Sequence, residues 1–504
     1  MTQPKDKILF WLENYSIHFG IAKALSEQYD CDLYALVSCS PKQKKFFNTQ
    51  KLVKFEKVWY VRDYVDLKKQ NPNLENIKFF EKKFSISLSR IIYGDRLFYK
   101  YNKYYSFTDK EIFSIIEQEL EFYNQVLDEI KPDYVILRAP EFQDIELFYE
   151  ICKAKKIKTL VLSTMKFGSR WIIASKPYPT IEFNQPNNQI EIKRFDILRK
   201  EVDEYSKLYK NIFLSTGKMR VTVSQKFAAL KLLFSTFSNS NINSYHDLGK
   251  SPWKIFIKTI STMLKGSYRK WYLGKNTKTS LPLNSSYVYF PLHVEPDVSI
   301  LRIGDFYEDQ FSVIKNISQS LPIEMNLFVK EHPAMWLMGW RSSEFYKKIS
   351  QLPKVELIHP YVSNESLLQN SSLVITIAGT VALEATFYEK SCIVFSDINC
   401  SSISSVFKIN NLKDLPQLIL KALDSKVNLV ELNHYVNEIE KSTFISNAEE
   451  LNALSAVIFG IGGLLNMNEI SEFKMKEFLQ KHKNAFDILA TEHIKKLEHL
   501  KKII

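Results

Sequence analysis

The order of apolar and polar positions divides this chain into alternating strand and helix signals. Ile8 to Leu12 is an unbroken apolar run, which predicts a buried strand. The stretch 17–29 places Ile17, Ala22, Ala24 and Leu25 at helical spacing, and 32–37 is apolar again. A strand–helix–strand opening of this kind builds parallel sheets. A helix is predicted over 109–130, then strands at 134–137 and 156–164, so residues 1–175 form one Rossmann-like domain. Residues 176–280 are rich in Asn, Ser and Lys, with helical patches such as FAALKLLFSTF, and are expected as a helical insertion or linker. Alternation resumes over 281–430, with strands expected at 287–291, 325–330, 355–358, 373–378 and 392–396. Residues 431–504 are charged and helical in pattern. The expected fold class is therefore α/β, with two Rossmann-like domains facing a cleft.

Composition narrows the classes. Apolar residues make up 45% of the chain, enough to build a large core, which argues against global disorder. The net charge of +12 favours an anionic partner: a nucleotide, nucleic acid or lipid headgroup. The five cysteines are scattered without a CxxC pair, so a disulfide framework and a zinc ribbon are both disfavoured, and a reducing cytoplasm is expected. The longest weakly polar stretch, 453–465, is shorter than the roughly 20 residues that span a bilayer. A soluble or peripheral protein is expected.

Ligands of open α/β sheets bind beyond the carboxyl ends of the strands, and three such ends here carry polar chemistry. YFPLHVEPDVSI places His293, Glu295 and Asp297 after a strand, where a carboxylate could serve as general base; a solvated turn around Pro296 is the alternative. FVKEHPAMW ends a strand on Lys330, Glu331 and His332. Lys330 and protonated His332 would suit a departing phosphate, although a lone His is commonly a structural residue. VITIAGTVALEATFYEKSCIVF runs a strand into Gly379, with Thr380 as N-cap or phosphate donor and Glu384 one turn into a helix. A capping box would need Glu or Gln at Leu383, so capping does not account for Glu384; ribose binding would, and an ion pair with a lysine is the alternative. In the first half, Glu141 and Asp144 lie just beyond the strand at 134–137 and are expected at the cleft edge. The basic aromatic run SYRKWYLGK (267–275) could touch phosphates or lipid headgroups, or be a solvated helix face.

No P-loop, GxGxxG, HExxH or GxSxG occurs, and GIGG at 460–463 lacks a preceding strand. The three loops together resemble the capsule polysaccharide biosynthesis family, including the inverting Kdo transferases with a GT-B fold, and more distantly the bacterial sialyltransferases with an HP motif. The resemblance covers roughly 285–400. It implies an acidic base (Asp297), phosphate contacts from His332 and Thr380, a ribose-holding Glu384, and supporting nucleotide contacts from Lys330 and Gly379. His293 stands where Gln is frequent in the family, and EPDVS stands where GDxS is common, so Glu295 competes with Asp297 as base.

The expected function is an inverting glycosyltransferase of hexosyl or Kdo type, moving sugar from a nucleotide-sugar donor, CMP-activated among the candidates, to a surface polysaccharide or glycolipid. The N-terminal domain would hold the acceptor. No metal or other cofactor is expected, and no nucleic acid; a peripheral contact with the inner face of an anionic membrane is. A sugar-nucleotide epimerase on the same fold is one alternative. The other is a non-catalytic basic protein binding nucleic acid or membrane.

Overall fold

The computed structural model of the protein describes residues 5–13, 16–181, 195, 197–200, 244–280, 286–459 and 470–502. Its strands form two sheets. The first contains β1 (Asp6–Glu13), β2 (Cys31–Ser38), β3 (Lys57–Tyr60), β4 (Tyr134–Arg138), β5 (Lys158–Thr164), β6 (Arg170–Ala174) and β13 (Phe444–Ile445), ordered β3-β2-β1-β4-β5-β6-β13. The second contains β7 (Tyr287–Pro291), β8 (Asn326–Lys330), β9 (Val355–Ile358), β10 (Leu373–Thr376), β11 (Cys392–Val394) and β12 (Val406–Lys408), ordered β9-β8-β7-β10-β11-β12. Ladders within both sheets are parallel, apart from the antiparallel β5–β6 and β6–β13 edge. Each sheet is thus doubly wound, with its order reversing beside its first strand: at β1/β4 in one and β7/β10 in the other. The α/β expectation of two Rossmann-like units holds.

Strands buried on both faces explain the unbroken apolar runs. Ile8, Phe10 and Leu12 enter one core cluster while Leu9 and Trp11 enter another. Val288 and Phe290 likewise face away from Tyr287 and Tyr289. The helix Asp109–Ile130 covers one face of the first sheet. It starts where Thr108 Oγ1 accepts the Glu111 amide and the Glu111 carboxylate accepts the Thr108 amide, and it ends on Lys131 in the left-handed region.

The opposite face is covered from far along the chain. The helices Ser16–Gln28, Ala448–Phe459, Glu472–Lys481 and Lys483–Lys502 share one core cluster with β1 and β2. A Cβ on Gly20 would lie 2.2 Å from Phe486, so only glycine admits so close an approach of the first helix to the last. The helix Leu429–Ser442, by contrast, packs into the core of the second sheet through Leu432, Tyr435, Val436 and Ile439. The FAALKLLFSTF and GIGG segments lie outside the described residues.

The two units touch along two seams. On one, Arg302 donates to Ile91 O at 3.3 Å and Arg90 pairs with Asp305 at 3.2 Å. On the other, the loop after β5 sends Phe167, fully buried, against Phe387, and Asn399 donates to Met165 O at 3.2 Å.

Candidate active site

Three adjacent strands, β8, β7 and β10, deliver the polar loops to one place, and the order of the second sheet reverses between β7 and β10. At that reversal His293 Nε2 lies 3.1 Å from Thr376 Oγ1. Gln310 holds the His293 backbone from both sides: its Oε1 accepts the amide at 2.8 Å, and its Nε2 donates to the carbonyl at 3.2 Å. A Cβ on Gly379 would meet Thr376 Oγ1 at 2.7 Å and His293 Cε1 at 3.2 Å. Gly379 therefore serves the close contact between loops. Burial, with His332 nearby, pushes His293 down to about 3, so it is a neutral ring.

The two candidate bases have different surroundings. Glu295 is occupied: its Oε2 pairs with Arg341 Nη1 at 2.7 Å and its Oε1 accepts from Gln310 at 2.6 Å. Its side chain is 19% exposed, against 41% for Asp297. Asp297 accepts the Ser299 amide at 3.1 Å and turns its other oxygen toward Arg96 of the first unit, 4.0 Å away. Burial raises the Asp297 carboxyl, but the Lys166 ammonium, the Ser299 hydrogen bonds and Arg96 outweigh it and hold it below the ordinary carboxylate range. A general base must be ionised and reachable. Asp297 is both.

At the end of β8 the charged run sorts into separate roles. Glu331 is fully buried and accepts from Arg341 Nε at 2.9 Å, Tyr346 Oη at 2.7 Å and the His332 amide at 2.7 Å. Lys330 is buried and donates to Asn364 Oδ1, which also accepts from Tyr289 Oη at 3.1 Å. His332 caps the turn Pro333–Met338, its Nδ1 accepting the Ala334 amide at 3.1 Å. Since an amide can only donate, Nδ1 carries no hydrogen and the neutral ring carries it on Nε2. Burial, with the Lys330 ammonium beside it, pushes His332 down to about 4. The expected imidazolium is thereby corrected: near neutral pH His332 is an uncharged Nε2–H donor.

The Thr380 expectation also changes. Its side chain makes no cap bond to the helix Val381–Phe387; its hydroxyl donates to Glu384 Oε1 at 3.2 Å instead. Thr380 already has helical backbone angles, φ −60° and ψ −20°, rather than the extended conformation that aims a capping oxygen at the next amides, so its hydroxyl is left to donate to the carboxylate one turn on.

Across the cleft the first unit contributes Lys166, whose charge acts on His293, Asp297 and His332 alike. Glu141 is held by Arg138 at 2.9 Å, and Arg138 also pairs with Glu13 at 2.7 Å, at the reversal point of the first sheet. Asp144 is corrected: it is buried at the start of the helix Gln143–Ala154, accepting its neighbour Ile145's amide at 2.8 Å. Burial, with the charge of Glu13, pushes it up to about 6. Ser38 Oγ at 3.5 Å and the His246 ring, 3.9 Å away, cover its other oxygen, so it is not exposed at the cleft edge.

Sequence reasoning missed Arg341, Gln310, Thr376 and Lys166. The buried Arg341 guanidinium joins Glu331, Glu295 and the His293 carbonyl, tying two of the three loops. Its signal was an arginine directly after the apolar run MWLMGW; no comparable signal marks Gln310 or Lys166.

This arrangement coincides with a known family. Residues 214–397 match the family model described as capsule polysaccharide biosynthesis protein. The likeness read from the three loops is borne out, and the match supports glycosyl transfer as the general activity without naming donor or acceptor. No curated protein matches the chain. Among solved structures, the UDP-GlcNAc 2-epimerase of Methanocaldococcus jannaschii is 13% identical, covering 86% of this chain and 99% of its own, with a TM-score of 0.23. The beta Kdo 2,7 transferase of Thermosulfurimonas dismutans is 11% identical, covering 67% of this chain and 89% of its own, with a TM-score of 0.30. Neither likeness carries an argument about this chain's chemistry.

Proposed function

We propose that the chain is an inverting glycosyltransferase using a nucleotide-sugar donor and a glycan or lipid-linked glycan acceptor. One observation carries the reading: the half-open, ionised Asp297 stands among His332, Arg96 and Lys166, where the reversal point of the second sheet meets the first unit. In this reading Asp297 takes the proton of an acceptor hydroxyl while that oxygen attacks the anomeric carbon from the side opposite the nucleotide. The bond from that carbon to the phosphate oxygen breaks, and its electron pair leaves on the phosphate. His332 Nε2–H donates to that phosphate and Lys166 offsets its charge. Lys330, Gly379 and Thr380 support the nucleotide end and Glu384 binds the ribose. Glu295 holds Arg341 in place, and Glu141 faces the acceptor.

The test is thermal stability with CMP, CDP, UDP, GDP and ADP in turn, followed by sugar transfer with the matching donor. A nucleotide at 100 times its Kd should stabilise the protein by about 2.7 kcal/mol. His332→Ala and Glu384→Ala should lose that response. Asp297→Asn should keep it while transfer falls about 10²- to 10⁴-fold. Selective response to CMP would indicate a Kdo- or sialic-acid-like donor. Absence of any nucleotide response overturns the site, and conversion of the donor sugar without an acceptor would replace transfer by epimerisation.

A further inference from the structure

The helix Pro252–Asn276 has two unlike faces. One is committed to the second unit. Arg269 Nη1 donates to Trp340 O at 2.8 Å and Gly339 O at 3.1 Å, Leu273 is buried, and Gly266 lies against Gly339. These contacts fix the helix about its own axis. The opposite face carries Trp253, Ile257, Ile260, Leu264, Tyr268 and Trp271, each between 41% and 67% exposed. Their spacing of three and four residues lines them along one stripe through the whole helix. Scattered apolar side chains on a surface need no explanation; a continuous stripe of six does.

Charge identifies the occupant. Residues 252–276 contain six cations (Lys254, Lys258, Lys265, Arg269, Lys270, Lys275) and no Asp or Glu. At 3.6 residues per turn, Lys254, Lys258 and Lys265 run along one border of the stripe and Lys270 along the other. Lysines in those positions can lay their methylene stems on the apolar face and hold their ammonium groups level with anionic headgroups. Among the described residues no helix is long and apolar enough to cross a membrane, so this one would lie along a surface rather than span it.

We propose that the helix Pro252–Asn276 docks the protein onto an anionic lipid bilayer, apolar stripe down. Because this helix packs directly on the segment Pro333–Trp340 that follows His332, docking sets the candidate site at a fixed height above the lipid surface. A partner protein would have to offer an acidic rim around an apolar groove of the same length. A bilayer containing acidic lipids offers both without shape matching.

Flotation of the full chain with phosphatidylglycerol/phosphatidylcholine vesicles, against pure phosphatidylcholine, tests this at low and at physiological salt. The protein should float with the anionic vesicles, less so as salt rises. Ile257→Ser/Leu264→Ser/Trp271→Ser should lower the partition coefficient by at least about 100-fold. Lys254→Gln/Lys258→Gln/Lys265→Gln should lower it by roughly 100-fold on anionic vesicles only. Both triple variants alter exposed positions and should melt near the parent; if either does not, Leu264→Glu alone serves as the apolar test. Failure of the parent to float with anionic vesicles at low salt overturns the proposal, as does an apolar variant that binds as the parent does. A concentration-dependent dimer that the apolar variant dissolves, without vesicle binding, would assign the stripe to a second copy of the chain. Vesicle binding and nucleotide response are separate measurements, so this proposal and the transferase reading fail independently.

Discussion

The residue that holds the candidate site together is Arg341. Its guanidinium reaches Glu331, Glu295 and the His293 carbonyl, and Tyr346 completes the coordination of Glu331. Removing one member of a buried ion pair leaves an uncompensated charge, at a cost of about 3–5 kcal/mol. Arg341→Met should destabilise by that amount in denaturant unfolding, and Arg341→Met/Glu331→Met should recover part of the loss because the orphaned carboxylate is gone. A single variant within 1 kcal/mol of the parent would show that the cluster tolerates an open charge. The importance of Arg341 was hidden in the sequence because its partners lie ten and forty-six positions upstream, and only the return of β7 and β8 to neighbouring places joins them. His332 was legible as a strand-end residue, whereas its charge state was not: that depends on the Ala334 amide and on burial. Asp297 and Glu295 stood level in sequence for the same reason, since Arg341 and Gln310 are what separate them.

At the scale of elements, buried strands announced themselves because both faces of each are covered, so β1, β2, β4, β5, β7, β8, β10 and β11 read as apolar runs, while β9 was read although it stands at a sheet edge with Glu356 interrupting it. The strands that went unread, β3, β6, β12 and β13, lie toward or at the sheet edges, where exposure interrupts the run. Two expected strands also end early. After Thr376 the ladder breaks, since Phe395 and Ser396 both donate to Ile377 O at 3.2 Å and the paired strands part. That parting opens the sheet where Gly379 approaches His293. Gly379→Ala would put a methyl group 2.7 Å from Thr376 Oγ1, so the loop must move away and break the bond to His293. The expected cost is about 1–3 kcal/mol, measured by unfolding, together with a weakened nucleotide response. Unchanged stability and nucleotide response would mean that the loop relaxes without disturbing the site.

On the scale of the whole molecule, the layer formed by the last helices carries no sequence mark of its destination: the contact of Gly20 with Phe486 joins opposite ends of the chain. That closure buries ionisable groups whose titration should govern stability. His18 and His493, on the helices that meet there, are pushed down to about 3 and about 4 by burial, and His293 and His332 behave alike at the cleft. Each stays neutral in the fold while the unfolded chain protonates it near pH 6.5, so stability is present above that pH and is lost as pH falls toward 3–4. On the other side of the first sheet, burial pushes Glu119, near Asp144, up to about 8, and Asp144 itself up to about 6. Those groups hold protons in the fold that the unfolded chain releases near pH 4, so their contribution is present at low pH and is lost as pH rises through 6 and then 8. Below pH 6.5 these four histidines, joined by His246 held down in the same way, outweigh the two carboxyls; between 6.5 and 8 Glu119 continues to titrate. The melting temperature should therefore peak at about pH 6.5, fall steeply on the acid side and gently on the alkaline side. Glu119→Gln should flatten the alkaline limb alone, since its amide oxygen can still accept from Tyr245, which now donates at 2.8 Å. Calorimetry from pH 4.5 to 9 reads both limbs. A melting temperature that keeps rising to pH 9, or an alkaline limb unmoved in Glu119→Gln, would place the controlling groups elsewhere than in this buried layer.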